Sequence, residues 1–307
     1  MGSDVDPTTS AKEELQDIRD AIRAVCADFP DAYWRELDAR RAYPTEFVAA
    51  LTAGGWLGAL IPERFGGSGL GLTEAAVILG EVNHSGGNAA AAHAQMYILS
   101  TILRHGSAEQ QARYLPDLAS GRLRLQAFGI TEPDAGSDTT QIQTTAVLSG
   151  DKYVIRGQKI FISRVEHSDL MLLLARTSAP DESADRTRGL SLFLVDLPAA
   201  IASAQIVVRP LDVMMNHHTT QLFIDDLEVP VANVIGRPGE GFRYVIDSWN
   251  AERILIAAEC VGDGDWFVER AARYASDRSS SVGRSGRTRE SSSPSPTPMR
   301  PFARPSS

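Results

Sequence analysis

Among the residues whose types could do chemistry, the densest group is the run FGITEPDAGSD at 128–138. A strand ending at Thr131 and followed by a loop with Pro133 and Gly136 can offer backbone N–H groups and hydroxyls to a ligand that carries phosphate. The same Asp, Gly and Ser residues also suit a tight turn that serves only the backbone, so spacing leaves both readings open. In GQKIFIS at 157–163, Phe161 is either a core aromatic or one face of a site; Ser163, two residues on, faces the same side of a strand. Farther along, Asn250 and Arg253 are three apart in a helical stretch and share a face, with Glu252 between them and Glu259 on what reads as a solvated face.

Other chemistries are excluded or unsupported. The six histidines form no HExxH-like ligand pair, and the adjacent His217 and His218 read as a solvated turn, so no metal is expected. Cys26 and Cys260 are the two cysteines, far apart, which points to neither a disulfide framework nor a CxxC pair and to a reducing, cytoplasmic setting. A formal net charge of −9 argues against general binding to nucleic acid or anionic membrane, since both need a basic face. The opening MGSDVDPTTS lacks the apolar centre of a signal peptide, and no apolar run approaches the roughly 20 residues of a membrane span.

These residues must be held by elements that the hydrophobic period makes legible. Leu15, Ile18, Ile22, Val25 and Phe29 form one face of a helix. Pro44 suits the first turn of a second helix with Phe47, Val48 and Leu51, ending at Gly54-Gly55. Thr73 is a candidate cap for a helix through Ile78, Leu79 and Val82; another carries Ile98, Leu99 and Ile102; Ser107 and Gln110 have capping-box spacing. From Leu125 to about Ile235 the segments are short and rich in β-branched and aromatic residues, with a hairpin at Ser149-Gly150-Asp151 and no helical pattern between them. That predicts an antiparallel sandwich or barrel. Helix returns after GRPGEGF at 236–242, with Val245, Trp249, Ile256, Cys260 and Phe267 in a helical pattern to about Asp277. The expected class is α+β. An N-terminal helical domain covers 1–124, a middle β domain 125–235 and the first, incomplete part of a C-terminal helical domain 236–278.

TEPDAGSD resembles the flavin signature of the acyl-CoA dehydrogenase family, and GQKIFIS its flavin-lining G-x-K-x-W/F-I-T/S segment. ALIPERFGGSGLGLTEAAVILGEV at 59–82, RPLDVMMNHHTTQLFIDDLEVPVANVIG and GEGF with NAER resemble further family segments, in the family's order over residues 11–278. The resemblance implies FAD as cofactor, oxidation of an acyl-CoA thioester to the 2,3-enoyl product in fatty acid metabolism, and an electron-transferring flavoprotein as acceptor. It implies that Phe128, Ile130 and Thr131 lie along the flavin. Gly136 and Ser137 would lie near its pyrophosphate and the substrate's pantetheine; Phe161 would pack on the isoalloxazine, and Ser163 would hydrogen-bond its polar edge. Trp249, Asn250 and Arg253 would contact CoA. Most of the family carries the catalytic carboxylate late in the C-terminal domain; a minority, the isovaleryl type among them, carries it at the position of Glu252. Acyl selectivity is expected to depend on residues such as Gln95, Met96 and Leu99. A relative on the same fold that uses flavin and oxygen stays open as an alternative.

The tail from 279 to 307 differs in kind: 20 of its 29 residues are Ser, Pro or Arg, a composition that predicts disorder. Where the family continues V-x-FG-x-PI-x-x-x-Q-x-x-Q, this chain reads SSSVGRSGRTRESSSPSPT. Written in GC-rich codons, that stretch gives VVFGRPIGANQGVQFPIAD on a one-base shift. The expectation is a frameshift after Arg278, a truncated chain lacking much of the family's homotetramer contact, and an apolar helix face left in water. A non-catalytic remnant that binds flavin or acyl-CoA weakly is the other reading.

Overall fold

The computed structural model describes residues 7–178, 185–215, 218–280 and 283–284. Two compact units divide the chain, Met1–Asp263 and Gly264–Ser307. Six helices open the first unit: α1 Pro7–Ala27, α2 Asp31–Arg40, α3 Thr45–Ala53, α4 Leu72–His84, α5 Ala90–His105 and α6 Ala108–Ser120. The strands β1 Leu125–Gly129, β2 Thr145–Ser149, β3 Lys152–Ser163, β4 Leu170–Arg176 and β5 Leu190–Asp196 follow. After a short helix, α7 Leu197–Ala202, come β6 Ile206–Pro210, β7 Thr219–Pro230 and β8 Val234–Ile235; α8 spans Gly241–Asp277. In the second unit Ser279–Ser280 pairs antiparallel with Gly283–Arg284, at the start of the stretch expected to be disordered. The expected frameshift concerns that same stretch, whose residues 281–282 and 285–307 lie outside the described ones, as does His217.

Helices, then a sheet, then a helix is the predicted order, and the details follow local chemistry. Ser107 and Gln110 form the expected capping box, each side chain bonding the other's backbone N–H. Thr73 is not a cap: α4 begins one residue earlier, and Glu74 reaches back to accept from the Gly71 N–H at 2.8 Å. Two helices are absent from the sequence reading. In α2 no residue is buried, so it carries no apolar stripe to betray it. In α7 the Asp196 carboxylate caps Ala199 N–H between two strands.

The strands form one eight-stranded sheet in the order β6-β7-β3-β2-β4-β5-β8, with β1 beside β4. Most pairs are antiparallel, but β1 and the end of β2 run parallel to β4. Every residue of β4 is buried because its two faces serve different cores. Leu170, Leu172 and Leu174 join the helices in one; Met171, Leu173 and Ala175 join β3, β5 and β7 in the other. In β7 burial alternates, the mark of a strand with one face in water.

The buried face of α8 differs from the expected one. Within the first unit it comprises Gly241, Tyr244, Val245, Ser248, Ala251, Leu255, Glu259 and Gly262, whereas Cys260 is exposed and Ile254 and Val261 face solvent. At Gly262 a residue without a side chain is required because α8 crosses α4 at backbone contact: a Cβ there would stand 2.1 Å from the Gly80 carbonyl oxygen and 3.0 Å from the His84 nitrogen. Helix propensity alone would have Gly262→Ala stabilise the chain by up to about 1 kcal/mol. The clash with backbone reverses that sign, and a loss of about 1–3 kcal/mol is expected in urea denaturation.

Candidate functional site

The loop after β1 is locked to β3 by a buried ion pair. Glu132, 7% exposed, accepts from Lys159 Nζ at 2.8 Å, and Lys159 is wholly buried. Lys159 also donates to the Ile130 carbonyl at 3.0 Å, and Glu132 accepts from the backbone N–H groups of Gln143 and Thr144. Burial pulls the Lys159 ammonium down to about 8 against the attraction of Glu132. Burial works to raise the Glu132 carboxyl, but the Lys159 ammonium and the surrounding donors outweigh it, and it sits below its ordinary value. Both groups are therefore charged at neutral pH. Gly157 at the head of the same motif has φ +155, and a Cβ there would meet the Thr144 hydroxyl oxygen at 2.4 Å.

The pair sits where the strand leaves its register. Between Lys159 and Ile162 β3 bulges against β7, and Phe161 takes φ +60, a strained conformation for a bulky residue. The bulge turns Phe161 outward, 61% exposed, while Ile162 stays in the core and Ser163 is half-buried. Ile160 N–H donates to the Thr131 carbonyl at 2.9 Å, which sets Thr131 beside the bulge. Neither the Thr131 nor the Ser163 hydroxyl has a hydrogen-bond partner among the described residues. A flat exposed aromatic flanked by two free hydroxyls fits a planar, polar-edged ring system such as an isoalloxazine.

On the other side of the loop, Gly136 and Ser137 meet α8. They line an open cavity of about 580 Å³ together with Trp249, Glu252, Arg253 and Ile256. A Cβ on Gly136 would touch nothing within 4 Å, so the backbone there is open to a ligand. Glu252 is half-buried; burial raises its carboxyl, with the Arg253 guanidinium opposing. Asn250 does not line the cavity; its side-chain oxygen accepts from Arg253 at 3.0 Å, so it supports the guanidinium. Phe128 is half-buried with its ring 6.1 Å from that of Tyr97, and Ile130 is 5% exposed in the helical core. Asp138 is spent on capping Thr140 and pairing with Arg186.

Several expectations are corrected. Gln95, Met96 and Leu99 point into the core and line none of the described cavities; Gln95 donates towards the Leu57 and Leu118 carbonyls and accepts from Leu125 N–H. Glu259 is not on a solvated face: it is 7% exposed and both its oxygens lie within 3.1 Å of His93 Nδ1. His218 is no solvated turn either; its ring lies 4.7 Å from that of His167, which stacks on Tyr43 at 4.1 Å. Sequence reasoning passed over Glu132, Lys159, His93 and Arg164, although the first two stand inside the quoted motifs as charged residues on a strand and beside one. Lys159→Met strands a buried carboxylate and is expected to cost about 3–5 kcal/mol in urea unfolding, and Glu132→Gln strands the amine. The double variant should recover much of either loss; strict additivity would count against the clamp.

Comparison with known proteins agrees with this arrangement. The chain matches the model of the acyl-CoA dehydrogenase N-terminal domain over residues 12–122 and that of the acyl-CoA dehydrogenase middle domain over 127–227. It is 30% identical over 267 residues to an acyl-CoA dehydrogenase of Mycobacterium bovis, covering 87% of this chain and 67% of that one. It is 32% identical over 277 residues to a short-chain-specific acyl-CoA dehydrogenase of Clostridium acetobutylicum, covering 89% and 71%. Among solved structures, an acyl-CoA dehydrogenase from Geobacillus kaustophilus superposes with a TM-score of 0.80 at 26% identity, over 94% of this chain and 73% of that one. In sequence, in fold and in the loop at the head of the cavity, this chain belongs to the acyl-CoA dehydrogenase family.

Proposed function

We propose that the chain oxidises an acyl-CoA thioester to the 2,3-enoyl-CoA with FAD. The observation that supports this best is the cavity in which the loop residues Gly136 and Ser137 face Trp249, Glu252 and Arg253 of α8. It sets an open loop backbone, fit for phosphate or pantetheine, opposite a half-buried carboxylate, and the reaction needs both in one cavity. Phe161, Thr131 and Ser163 would hold the flavin ring, Phe128 and Ile130 would line its approach, and Gly136 with Ser137 would serve the pyrophosphate and pantetheine. Bound FAD supplies the acceptor for the hydride that leaves the β carbon.

The chain's own residues handle position and the proton. Trp249 gives an apolar wall, and Arg253, steadied by Asn250, gives a cation for CoA phosphate. Glu252 takes the α proton onto a carboxylate oxygen. A half-buried carboxylate is a stronger base than a solvated one, because the charge it gives up is poorly hydrated. Reoxidation of the bound flavin would call for an electron-transferring flavoprotein as acceptor. Among the described residues no helix is long and apolar enough to cross a membrane.

Purification of the whole chain with FAD, followed by dye-linked oxidation of a saturated acyl-CoA, tests this reading. Retained flavin and thioester-dependent dye reduction are expected; a colourless protein that takes up no FAD would sink it. Phe161→Ala should loosen FAD by at least about tenfold, roughly 1.4 kcal/mol. Glu252→Gln should keep the flavin and slow α-proton exchange with solvent by about 10²–10⁴. With the native residue that exchange is lost as pH falls through a Glu252 pKa above the ordinary glutamate value, since only the ionised base accepts a proton. Unchanged exchange in Glu252→Gln would move the base elsewhere.

A further inference from the structure

Two histidines brought together at the end of the β3–β7 ladder take no part in the cavity at Glu252. His167 follows β3 in the short 3₁₀ turn Val165–His167, and His218 stands just before β7. Their rings meet edge to face at 4.7 Å, with His167 Nε2 3.3 Å from His218 Nδ1. The ring of Tyr43 stacks on His167 at 4.1 Å, and its hydroxyl donates to Gln126 Oε1 at 3.0 Å. The backbone closes over the same place. Arg164 N–H donates to the His218 carbonyl at 3.0 Å, next to the last rungs of the ladder, Ile162 with Thr220 and Ser163 with Thr219. Arg164 and His218 both take positive φ, 59° and 47°. Such backbone persists only where its surroundings hold it.

A hydrogen bond between two imidazoles needs a lone pair on one of the facing nitrogens, so the rings cannot both be charged and keep it. The surroundings make even one charge costly. Arg164, 5% exposed, is a cation whose Nε has no partner and whose Nη2 lies 3.5 Å from His93 Nε2. His218 Nε2 is buried without a partner as well. Neither ring of the pair has a carboxylate partner among the described residues, unlike His84, His93 and His105. Tyr43 stays neutral, its hydroxyl pushed up by burial. The other charged groups facing the pair are Asp38 and Arg41 at the end of α2 and Glu166 in the turn, which line the cavity at His218. Asp38 and Glu166 are exposed, and Arg41 is paired with Asp212 at 2.6 Å, so none supplies a buried counter-charge. Burial first, then His218 and Arg164, hold the His167 imidazole down to about 4.

We propose that the pair is a proton-sensitive latch: neutral, it pins the ends of β3 and β7 together, and a further cation beside Arg164 unpins them. The sign follows from burial. Freed of the latch, His167 returns to the ordinary histidine value of 6.5, so the open form takes up a proton that the closed form refuses. The closed form is therefore fully held above about pH 6.5 and is lost progressively as pH falls from there toward 4. Opening frees the rungs at Ile162 and Ser163 and relaxes the two positive-φ residues, while the Lys159–Glu132 pair keeps the strand anchored earlier in its course. The consequence for a flavin ring, a loosened Ser163, rests on the reading above; the latch itself does not.

Amide hydrogen exchange of the full chain, followed by mass spectrometry and corrected for the intrinsic rate at each pH, tests the latch. Between pH 7.5 and 5 the segments 162–167 and 218–222 should open about thirtyfold more often, the ratio set by one histidine that moves between about 4 and 6.5. Strand β4, buried on both faces, should keep its protection over the same range. His167→Gln retains a hydrogen-bonding side chain and removes the charge, so its exchange in the two segments should not follow pH. Constant protection of those segments in the unaltered chain, an equal rise in β4, or the same rise in His167→Gln would each overturn the latch and leave the acyl-CoA reading standing. Should His167→Gln fail to fold, the contrast between the two segments and β4 in the unaltered chain decides alone.

Discussion

The site depends on one buried ion pair. Lys159, without exposed surface, and Glu132 tie the loop at 128–138 to strand β3, and each also satisfies backbone groups that the irregular loop would otherwise leave bare. A charge buried this deeply is costly alone and tolerable only when matched and fully hydrogen-bonded. The pair therefore admits one arrangement of loop and strand. It fixes the bulge that turns Phe161 outward and, through the loop, the place of Gly136 and Ser137 opposite α8.

The surrounding architecture supplies rigidity from two cores. Strands β4 and β5 are buried on both faces, one packed on the helices and the other inside the sheet, so the strand framework beneath the loop cannot slip register without exposing apolar side chains. On the helical side, α4 and α8 approach to backbone contact through Gly80 and Gly262. Close approach carries Glu252 and Arg253 to the cavity and Glu259 into the interior, where His93 meets it.

Polar groups thus form a graded series along α5 and α8. At the cavity Glu252 stays half in water; deeper in, Glu259, His93 and Arg164 form a chain of contacts in which each proton is assigned by its neighbour. Low dielectric strengthens such chains and penalises any unmatched member, which makes the idle Nε of Arg164 the feature that ordinary packing leaves unexplained.

Local chemistry was legible in the sequence. The capping box at Ser107, the two-residue turn between β2 and β3, the strands at 125–230 and the long last helix each rest on nearest neighbours or on a short period, which a linear string displays. The motifs TEPDAGSD and GQKIFIS were visible as strings, and so was their family. Which faces those elements bury was not. On α8 the apparent stripe through Trp249, Ile256, Cys260 and Phe267 gave way to one through Tyr244, Ser248, Ala251, Leu255, Glu259 and Gly262, because at Gly262 the helix meets α4 at backbone distance, where size and not hydropathy decides. Helix α2 has no stripe at all, and α7 is held by a single cap. The partnerships Glu132 with Lys159 and His93 with Glu259 span 27 and 166 residues. A charged residue looks solvated in a string until something across the fold matches it, and only the tertiary structure brings the matching charge.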